Sequence, residues 1–292
     1  MTPIPGVRRV GVLGCGLMGS GIGQVAATAG YDTVIREPEA APLARGRAGI
    51  ESSLAKLVEK QKLTDGDRQA ALARLTFTTD LDAIAACDLV IEAVTEDLAL
   101  KNQLWRDLDG RCAPTAIFAS NTSSLRIGEM AAVTRRPDRF IGLHFFNPVP
   151  LMPLVEVVRA ITTSAETFDQ AMAFARSLGK EPVAAKDNSG FLVNLLLVPY
   201  LLDAVRALER GVGTVADLDT AMQLGAGHPM GPFTLLDYVG IDTVVRVAEI
   251  MFDEYREPRY APPPLLRQMA TAGLHGRKSG RGFYDYSQPG TR

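Results

Sequence analysis

Residues 14–19, with the sequence GCGLMG, form a glycine-rich motif between an apolar run and a helical pattern. In that context glycine permits a tight turn, a close approach of the backbone to a pyrophosphate, and close packing of a helix on a strand. The N-terminus of the helix adds backbone N–H groups and the positive end of the helix dipole. The motif therefore predicts a dinucleotide site, whose contacting residues are Gly14, Gly16, Leu17, Met18 and Gly19.

Glu37 ends the second predicted strand, 18 residues after Gly19. In dinucleotide-binding folds an acidic residue at about this distance hydrogen-bonds the ribose 2′-hydroxyl. A carboxylate there repels a 2′-phosphate, so the sequence favours NAD over NADP as the cofactor. Arg36 keeps NADP open, because a neighbouring arginine can accept that phosphate. The alternative interpretation is a glycine-rich turn followed by a solvated glutamate.

His144 and Glu156 are candidates for acid–base chemistry. His144 lies at the carboxyl end of a predicted strand, the edge where open α/β sheets bind ligands. Glu156 follows twelve residues later inside an apolar strand, where a carboxylate needs a partner. If the proline-rich return between them brings the side chains together, His144 serves as base or acid and Glu156 fixes its tautomer. A structural histidine with an outward-facing glutamate fits the spacing equally well.

Two further polar groups stand next to apolar segments. The segment SNTSS, residues 120–124, ends a predicted strand, and its Ser120 hydroxyl can orient a carbonyl or hydroxyl group of a ligand. Such residues are equally suited to helix caps and turns. Asn194 opens an otherwise apolar helical segment and requires a partner, which is either substrate or backbone.

The order of apolar runs predicts the elements that position these residues. Short β-branched runs alternate with helical patterns up to about residue 186, which indicates an α/β domain with a mostly parallel sheet. The predicted strands are Arg8–Leu13, Thr33–Arg36, Leu89–Glu92, Ala116–Ala119, Phe140–His144, Leu154–Val158 and Pro182–Ala185. The predicted helices are Ser20–Ala29, Glu39–Val58, Leu98–Arg111, Glu166–Leu178 and Phe191–Glu209.

Capping signals and a change of pattern divide the chain. Asp97 and Ser164 occupy N-cap positions, and Gly179 follows a helix as a C′ glycine. Thr214 and Asp217 predict a capping box for a helix that Gly225 ends. Because no convincing strand follows residue 186, we expect an α/β domain over residues 1–186 and an all-helical domain over residues 187–292.

Composition excludes several classes of protein. The chain has 292 residues, of which 47% are hydrophobic and 22% charged, with a net charge of -2. These values are atypical of nucleic-acid-binding and of disordered proteins. Cys15, Cys87 and Cys112 show neither a disulfide framework nor zinc-ligand spacing, so no metal is expected. No signal peptide or membrane span is evident, and we expect a soluble cytoplasmic protein without membrane or nucleic-acid partners.

Six segments together resemble the short-chain L-3-hydroxyacyl-CoA dehydrogenase family, especially its bacterial 3-hydroxybutyryl-CoA branch. They are GCGLMGSGI (14–22), VIEAVTED (90–97), SNTSSL (120–125), HFFNPVPLMPLVEVV (144–158), LGAGHPMGPF (224–233) and GRKSGRGFYDY (276–286). The resemblance implies a Rossmann-type dinucleotide-binding domain followed by a helical domain that closes over substrate and forms a homodimer. It also implies an NAD-dependent, reversible oxidation of an (S)-3-hydroxyacyl-CoA to the 3-oxoacyl-CoA.

The resemblance also assigns roles to individual residues. His144 and Glu156 match the catalytic dyad, in which the histidine takes the proton of the C3 hydroxyl while C3 passes hydride to the nicotinamide. Ser120 and Asn194 match residues that contact the reacting oxygen or the thioester. The remaining matches are cofactor residues Glu37, Glu96, Lys101 and Asn121, and substrate residues Ser53, Lys60 and Asn147.

Three other functions remain open from the sequence. Pro153 stands where many family members have a lysine, so a hydroxyacyl group on acyl carrier protein is an alternative to the CoA thioester. A dehydrogenase of free hydroxy acids would have a catalytic lysine where this chain has Asn194. A non-enzymatic relative recruited for a structural role would not need the polar residues described above.

Overall fold

The computed structural model describes residues 2–287, which divide between residues 188 and 189 into two compact units. The strands of the first unit are β1 (Arg9–Leu13), β2 (Asp32–Arg36), β3 (Leu75–Thr78), β4 (Leu89–Glu92), β5 (Ile117–Ser120), β6 (Phe140–Phe145), β7 (Leu154–Arg159) and β8 (Glu181–Lys186). They form one sheet in the order β3-β2-β1-β4-β5-β6-β7-β8. All neighbours in this sheet are parallel except β6 and β7.

The register of the sheet aligns the polar residues at its carboxyl edge. β6 and β7 are antiparallel, and His144 lies directly opposite Glu156. On the other side of β6, Ser120 of β5 pairs with Gly142 of β6, and Glu92 of β4 pairs in turn with Ser120. Because side chains alternate along a strand with a period of two, His144 shares a face with Gly142. Glu92, Ser120, His144 and Glu156 therefore lie on one face of the sheet.

Helices flank the sheet of the first unit. They are α1 (Leu17–Thr28), α2 (Ala40–Glu59), α3 (Asp65–Ala73), α4 (Leu98–Asp109), α5 (Ile127–Ala131) and α6 (Ala165–Ser177). The predicted N-caps are confirmed, since Asp97 accepts from the backbone N–H of Leu100 and Ser164 from that of Thr167. Gly179 has a φ of 72°, as a C′ glycine requires.

The glycine-rich motif forms the turn from β1 into α1. This helix begins at Leu17, so the prediction that it begins at Ser20 was wrong, because the second half of the motif already forms the first helical turn. Gly14 has a φ of 95°, in the left-handed region that favours glycine. A Cβ at Gly19 would collide with the carbonyl oxygen of Gly14. Glycine at these two positions therefore allows the turn and the close packing of α1 on β1.

The second unit is helical. Its α-helices are α7 (Val193–Glu209), α8 (Val215–Ala226), α9 (Pro232–Val239), α10 (Ile241–Tyr255) and α11 (Pro264–Thr271). The capping box of Thr214 and Asp217 is confirmed. Gly225 does not end α8; Gly227 does, because its φ of 70° lets its N–H bond the carbonyl of Met222. Likewise α7 begins after Phe191, whose φ of 47° is not helical.

The predicted fold class is confirmed by the mostly parallel sheet and the helical unit that follows. One strand, β3, was not predicted. It is a four-residue edge strand whose residues are mostly half-buried, so it lacks the continuous apolar run that identified the central strands. In the described part of the chain, no helix combines the length and the apolar character that a membrane span requires.

Candidate active site

The start of α1 is suited to hold a pyrophosphate. Its N-cap residue, Gly16, makes no side-chain capping hydrogen bond, and a Cβ built at Gly16 would meet no atom within 4 Å. Leu17, the first helical residue, is 72% exposed. The loop thus presents its backbone to open space at the positive end of a helix, which fits the diphosphate of a dinucleotide.

Glu37 follows β2 and turns toward this loop. Its Oε2 accepts a hydrogen bond from the backbone N–H of Cys15 at 2.9 Å. Arg36 points elsewhere, since its Nε donates to the carbonyl oxygen of Thr79 at 3.3 Å. The carboxylate beside the loop fits a ribose with a free 2′-hydroxyl.

We expect the predicted dehydrogenase to use NADH with a kcat/KM about 10- to 100-fold higher than with NADPH, because a hydrogen bond to a charged group contributes about 1.5–3 kcal/mol. Steady-state kinetics with each cofactor tests this. Replacing Glu37 with glutamine should reduce this preference for NADH over NADPH. The glutamine amide keeps an oxygen that can accept from the Cys15 N–H, but it lacks the negative charge of the carboxylate. Equal efficiency of the wild-type enzyme with NADPH would contradict the prediction.

His144 and Glu156 form a buried pair. His144 Nδ1 donates to Glu156 Oε2 at 2.6 Å, and the side chains are 9% and 0% exposed. The antiparallel register of β6 and β7 brings them together. With Nδ1 bonded to the carboxylate, the neutral imidazole carries its lone pair on Nε2. The pair has the arrangement of a general base and the carboxylate that orients it.

Ser120 is joined to Glu92, a residue that sequence analysis did not single out. Ser120 Oγ donates to Glu92 Oε2 at 2.6 Å. Glu92 Oε1 accepts from Lys101 Nζ at 2.6 Å and from the backbone N–H of Val94 at 2.8 Å. The side chains of Glu92 and Lys101 are 0% and 1% exposed, so this ion pair is completely buried.

Glu96 is the second anionic partner of Lys101, at 3.0 Å. Its carboxylate also accepts hydrogen bonds from the hydroxyls of Thr122 and Ser124 and the backbone N–H of Ser123. Burial would raise the pKa of Glu96, but Lys101 and these hydrogen bonds lower it below its ordinary value. The loop after β5 is therefore attached to the loop after β4, and the cofactor roles assigned to Glu96 and Lys101 stay predictions.

Asn121 links β5 to the strand that carries His144. Its backbone N–H donates to the carbonyl of Glu92 at 2.8 Å. Its side-chain Oδ1 accepts from the backbone N–H of Phe145 at 2.9 Å. With Oδ1 bonded, the amide N–H groups are the part of Asn121 suited to a ligand acceptor.

A cavity of about 760 Å³ lies among α1, α2 and the loop that joins β6 to β7. The predicted substrate residues all line it: Ser53, Lys60 and Asn147. Four cationic side chains line it: Arg45, Lys56, Lys60 and Lys62. None of the described residues that line the cavity is acidic, so its charge suits a polyanionic ligand.

Asn194 lies in the second unit, in the first turn of α7, and is half-buried. Its assignment to the substrate stays a prediction. Among residues 2–287, no group of three or more His, Cys, Asp or Glu side chains is placed to hold a metal ion.

The comparison with known proteins agrees with this geometry. Residues 9–188 match the family described as 3-hydroxyacyl-CoA dehydrogenase, NAD binding domain, and residues 190–286 match the C-terminal domain of that dehydrogenase. The chain belongs to the 3-hydroxyacyl-CoA dehydrogenase family. The resemblance predicted from the sequence is thereby confirmed. The protein is an oxidoreductase, and its first unit binds NAD.

Similar members of the 3-hydroxyacyl-CoA dehydrogenase family match nearly the whole chain. The 3-hydroxybutyryl-CoA dehydrogenase of Mycobacterium tuberculosis is 50% identical over 282 residues, covering 96% of this chain and 99% of the relative. The human mitochondrial hydroxyacyl-coenzyme A dehydrogenase is 47% identical, and the match covers 96% of this chain and 91% of the human protein. The crystal structure of (S)-3-hydroxybutyryl-CoA dehydrogenase from Ralstonia eutropha has a TM-score of 0.93 and 44% identity, covering 97% and 100%.

One signal in the sequence could have identified Glu92 in this 3-hydroxyacyl-CoA dehydrogenase fold. Like Glu156, it is an acidic residue in a short apolar strand, where an unpaired carboxylate is costly. Its partners lie on other elements, Lys101 on α4 and Ser120 on β5. No local pattern in the sequence pairs the three.

Proposed function

We propose that the protein catalyses the reversible, NAD-dependent oxidation of an (S)-3-hydroxyacyl-CoA to the 3-oxoacyl-CoA, with 3-hydroxybutyryl-CoA as a substrate. The observation that carries the proposal is the buried hydrogen bond of 2.6 Å between His144 and Glu156. This pair lies at the carboxyl edge of a sheet whose first strand leads into a dinucleotide loop. The names of the Mycobacterium tuberculosis and Ralstonia eutropha relatives support the substrate.

Each residue of the pair has a separate task in the proposed reaction. In oxidation, His144 Nε2 takes the proton of the C3 hydroxyl, and in reduction it returns a proton to the C3 oxygen. Glu156 holds Nδ1–H and stabilises the positive charge on the imidazole once Nε2 is protonated. Bound NAD accepts the hydride in oxidation and the reduced form donates it in reduction.

The lining of the cavity favours CoA as the carrier of the acyl group. Coenzyme A has several phosphate charges close together, whereas the pantetheine arm of a carrier protein ends in a single phosphodiester. Four cationic and no acidic side chains, among the described lining residues, complement the more highly charged carrier. Apolar residues of the same cavity, such as Val149 and Leu151, suit the less polar part of the arm.

The function is tested by following NADH absorbance with purified protein and acetoacetyl-CoA. Rapid oxidation of NADH supports the proposal. In the contrary outcome, the protein binds NADH and oxidises it only with acetoacetyl-acyl carrier protein, and with none of the CoA thioesters. In that case the assignment of CoA as the carrier of the acyl group is wrong. Absence of turnover with every thioester would instead support a non-enzymatic role.

Removing two lysines from the cavity should weaken binding of the CoA thioester. We expect the double variant Lys56→Ala/Lys60→Ala to raise KM for acetoacetyl-CoA roughly tenfold, because each exposed charge pair contributes up to about 1 kcal/mol. KM for acetoacetyl-pantetheine, which lacks the phosphates, should not change. Arg47→Ala is the matched control, because Arg47 lies on the same helix as Lys56 but pairs with Glu51. An unchanged KM for acetoacetyl-CoA would place its phosphates elsewhere.

We further infer that the protein is a homodimer formed through its helical unit. Several large apolar side chains of this unit are exposed, including Leu196 at 72% and Leu224 at 84%. Large exposed apolar side chains are typical of protein interfaces when they form a patch. Light scattering at micromolar concentration should give twice the mass of the 31.4 kDa chain, and a monomeric mass would contradict the inference.

We also propose a cytoplasmic location, which the state of the cysteines supports. Cys15, Cys87 and Cys112 are all unpaired and buried. Burial raises the pKa of Cys87 to about 12, which disfavours its thiolate form. Unpaired thiols are typical of proteins in a reducing compartment.

A further inference from the structure

We infer that the side-chain amide of Gln24 binds an amide group in the pantetheine arm of the substrate. The inference rests on the proposed function and deepens it, because it adds a contact for the part of the thioester between the phosphates and the acyl group. Gln24 belongs to α1 and lines the cavity of about 760 Å³ that the predicted substrate residues Ser53, Lys60 and Asn147 also line.

The amide of Gln24 is buried and open to this cavity. The residue is 3% exposed. In the described part of the chain, no hydrogen bond joins its side chain to another residue, and the bond from Thr28 Oγ1 goes to its backbone carbonyl. Its amide atoms are not among the unpartnered side-chain atoms that the described residues seal from solvent. An amide so placed needs partners for its N–H groups and its oxygen, and the cavity is where a ligand can supply them.

The wall of the cavity that packs on α1 is the loop from β6 to β7. Gly21 precedes Gln24 by three residues, so the two lie on the same face of the helix. A Cβ built at Gly21 would lie 2.8 Å from Val149 Cβ, which shows how closely this loop approaches that face. Gln24 therefore faces a narrow part of the cavity between α1 and the loop.

The backbone of this loop has few groups left for Gln24. Lys180 Nζ donates to the carbonyl oxygens of Val149 and Met152. The carbonyl oxygen of Pro148 accepts from the N–H groups of Leu151 and Met152. Proline has no N–H group, so Pro148 donates nothing to the cavity. Because the loop bonds to itself and to Lys180, it leaves the Gln24 amide to a ligand.

The position of Gln24 distinguishes the substrate from the cofactor. It lies two helical turns beyond Leu17, about 10 Å along the axis, so a diphosphate at the start of α1 does not reach it. The four cationic side chains of the cavity are exposed, whereas Gln24 is buried. A ligand whose phosphates contact these cations thus extends its uncharged part inward to Gln24.

In coenzyme A that uncharged part is the pantetheine arm. It contains two secondary amides, and each has one N–H donor and one carbonyl acceptor. Gln24 has both kinds of group, so it can pair with either amide. The apolar side chains of Ile50, Leu57 and Val149 line the same cavity and suit the methylene groups on either side of these amides.

The test compares Gln24→Met with the wild type on acetoacetyl thioesters that differ in their amides. Pantetheine has two, N-acetylcysteamine has one and butanethiol has none. We expect kcat/KM to fall about tenfold with acetoacetyl-pantetheine and with acetoacetyl-CoA, the effect of one hydrogen bond, and to stay unchanged with the butanethiol thioester. The loss should appear in KM for acetoacetyl-CoA while kcat is retained.

The N-acetylcysteamine thioester identifies the amide that is bound. A fall in kcat/KM with this compound assigns Gln24 to the amide nearer the sulfur. An unchanged value, together with a fall for acetoacetyl-pantetheine, assigns it to the farther amide. Both results support the inference.

A stability measurement separates binding from a structural role. Gln24→Met removes an unpartnered polar group from the interior at nearly constant size, so the urea midpoint should equal or exceed that of the wild type. An amide that served the fold would lower the midpoint when removed. Thr28→Val is the matched control, because Thr28 lies on the same helix and is not among the residues that line the cavity. It should leave kcat/KM unchanged with every thioester.

Three results would overturn the inference: an equal loss or no loss of kcat/KM with all the thioesters, a lower urea midpoint in Gln24→Met, or a weaker affinity of this variant for NADH. Gln24→Leu is the second variant, and if neither variant folds, the amide serves the fold and the inference is wrong. Wild-type turnover of acetoacetyl-CoA upholds the proposed function in each of these cases. A wild-type protein that turns over none of the thioesters would overturn both.

Discussion

Replacing His144 with alanine should lower kcat for acetoacetyl-CoA reduction by about 10²–10⁴, the usual contribution of a positioned general acid or base. The variant loses the group that exchanges a proton with the C3 oxygen. The dinucleotide loop belongs to β1 and α1 and does not include this residue. Binding of NADH, followed by its fluorescence, should therefore persist. Wild-type turnover by the variant would eliminate His144 as the acid or base.

Two further variants make this result specific. His228→Ala is the matched control, because His228 lies in the second unit, where its Nδ1 is hydrogen-bonded to Tyr200. We expect it to keep most of the wild-type rate. Glu156→Gln should slow the wild-type enzyme, but it should not slow His144→Ala further, because residues that act as a unit are not additive. A further loss in the double variant would show that Glu156 acts independently of His144.

Replacing Lys101 with methionine should lower the free energy of unfolding of the first unit by about 3–5 kcal/mol, the usual cost of leaving a buried charge unpaired. Lys101 is the cation between Glu92 at 2.6 Å and Glu96 at 3.0 Å. Urea unfolding followed by tryptophan fluorescence measures this, because the chain has one tryptophan, Trp105, buried on the same helix. A loss below about 1 kcal/mol would mean that the carboxylates are solvated or protonated.

A second buried lysine provides the matched control. Lys180 is 9% exposed, and its Nζ donates to the carbonyl oxygens of Val149 at 2.5 Å and Met152 at 2.8 Å. Lys180→Met thus removes a buried cation without leaving a carboxylate unpaired, and it should destabilise the unit less than Lys101→Met. Adding Glu92→Gln to Lys101→Met should restore part of the lost stability, since one buried anion is removed with the cation.

The stability contributed by this ion cluster should depend on pH in a defined way. Burial would lower the pKa of Lys101, but Glu92 and Glu96 raise it above its ordinary value of 10.5, so its contribution is complete below that pH and is lost above it. The pKa of Glu96 is lowered from 4.5, so its contribution is complete above that pH and is lost as the pH falls further. The difference between wild type and Lys101→Met should be largest between these two values.

Local sequence patterns predicted several turns and caps that the structure shows. The motif at residues 14–19, the acidic Glu37 and the caps at Asp97 and Ser164 depend on neighbours close in sequence, and the structure places each of them as the pattern requires. The errors concern ends of elements and one edge strand, β3. Gly225 has the right type to end α8, but the helix continues until Gly227, whose backbone adopts the left-handed conformation.

Long-range pairing was beyond those patterns. The spacing of His144 and Glu156 fitted a paired and an unpaired arrangement equally, and only the antiparallel register of β6 with β7 brings the side chains to 2.6 Å. No local pattern paired Glu92, because its partners come from a helix and a strand that follow later in the chain.

The sequence by itself determined the order of the buried strands, the glycine turn that suits a dinucleotide, and the family, because each depends on residue types at short or ordered spacing. The tertiary structure decided which polar groups form hydrogen bonds and ion pairs with one another. It joins Lys101, Glu92 and Ser120 across α4, β4 and β5, and it gathers four cations of α2 and the segment after it around a cavity. Burial makes these pairings decisive, since a buried charge or hydroxyl must find its partner within the fold.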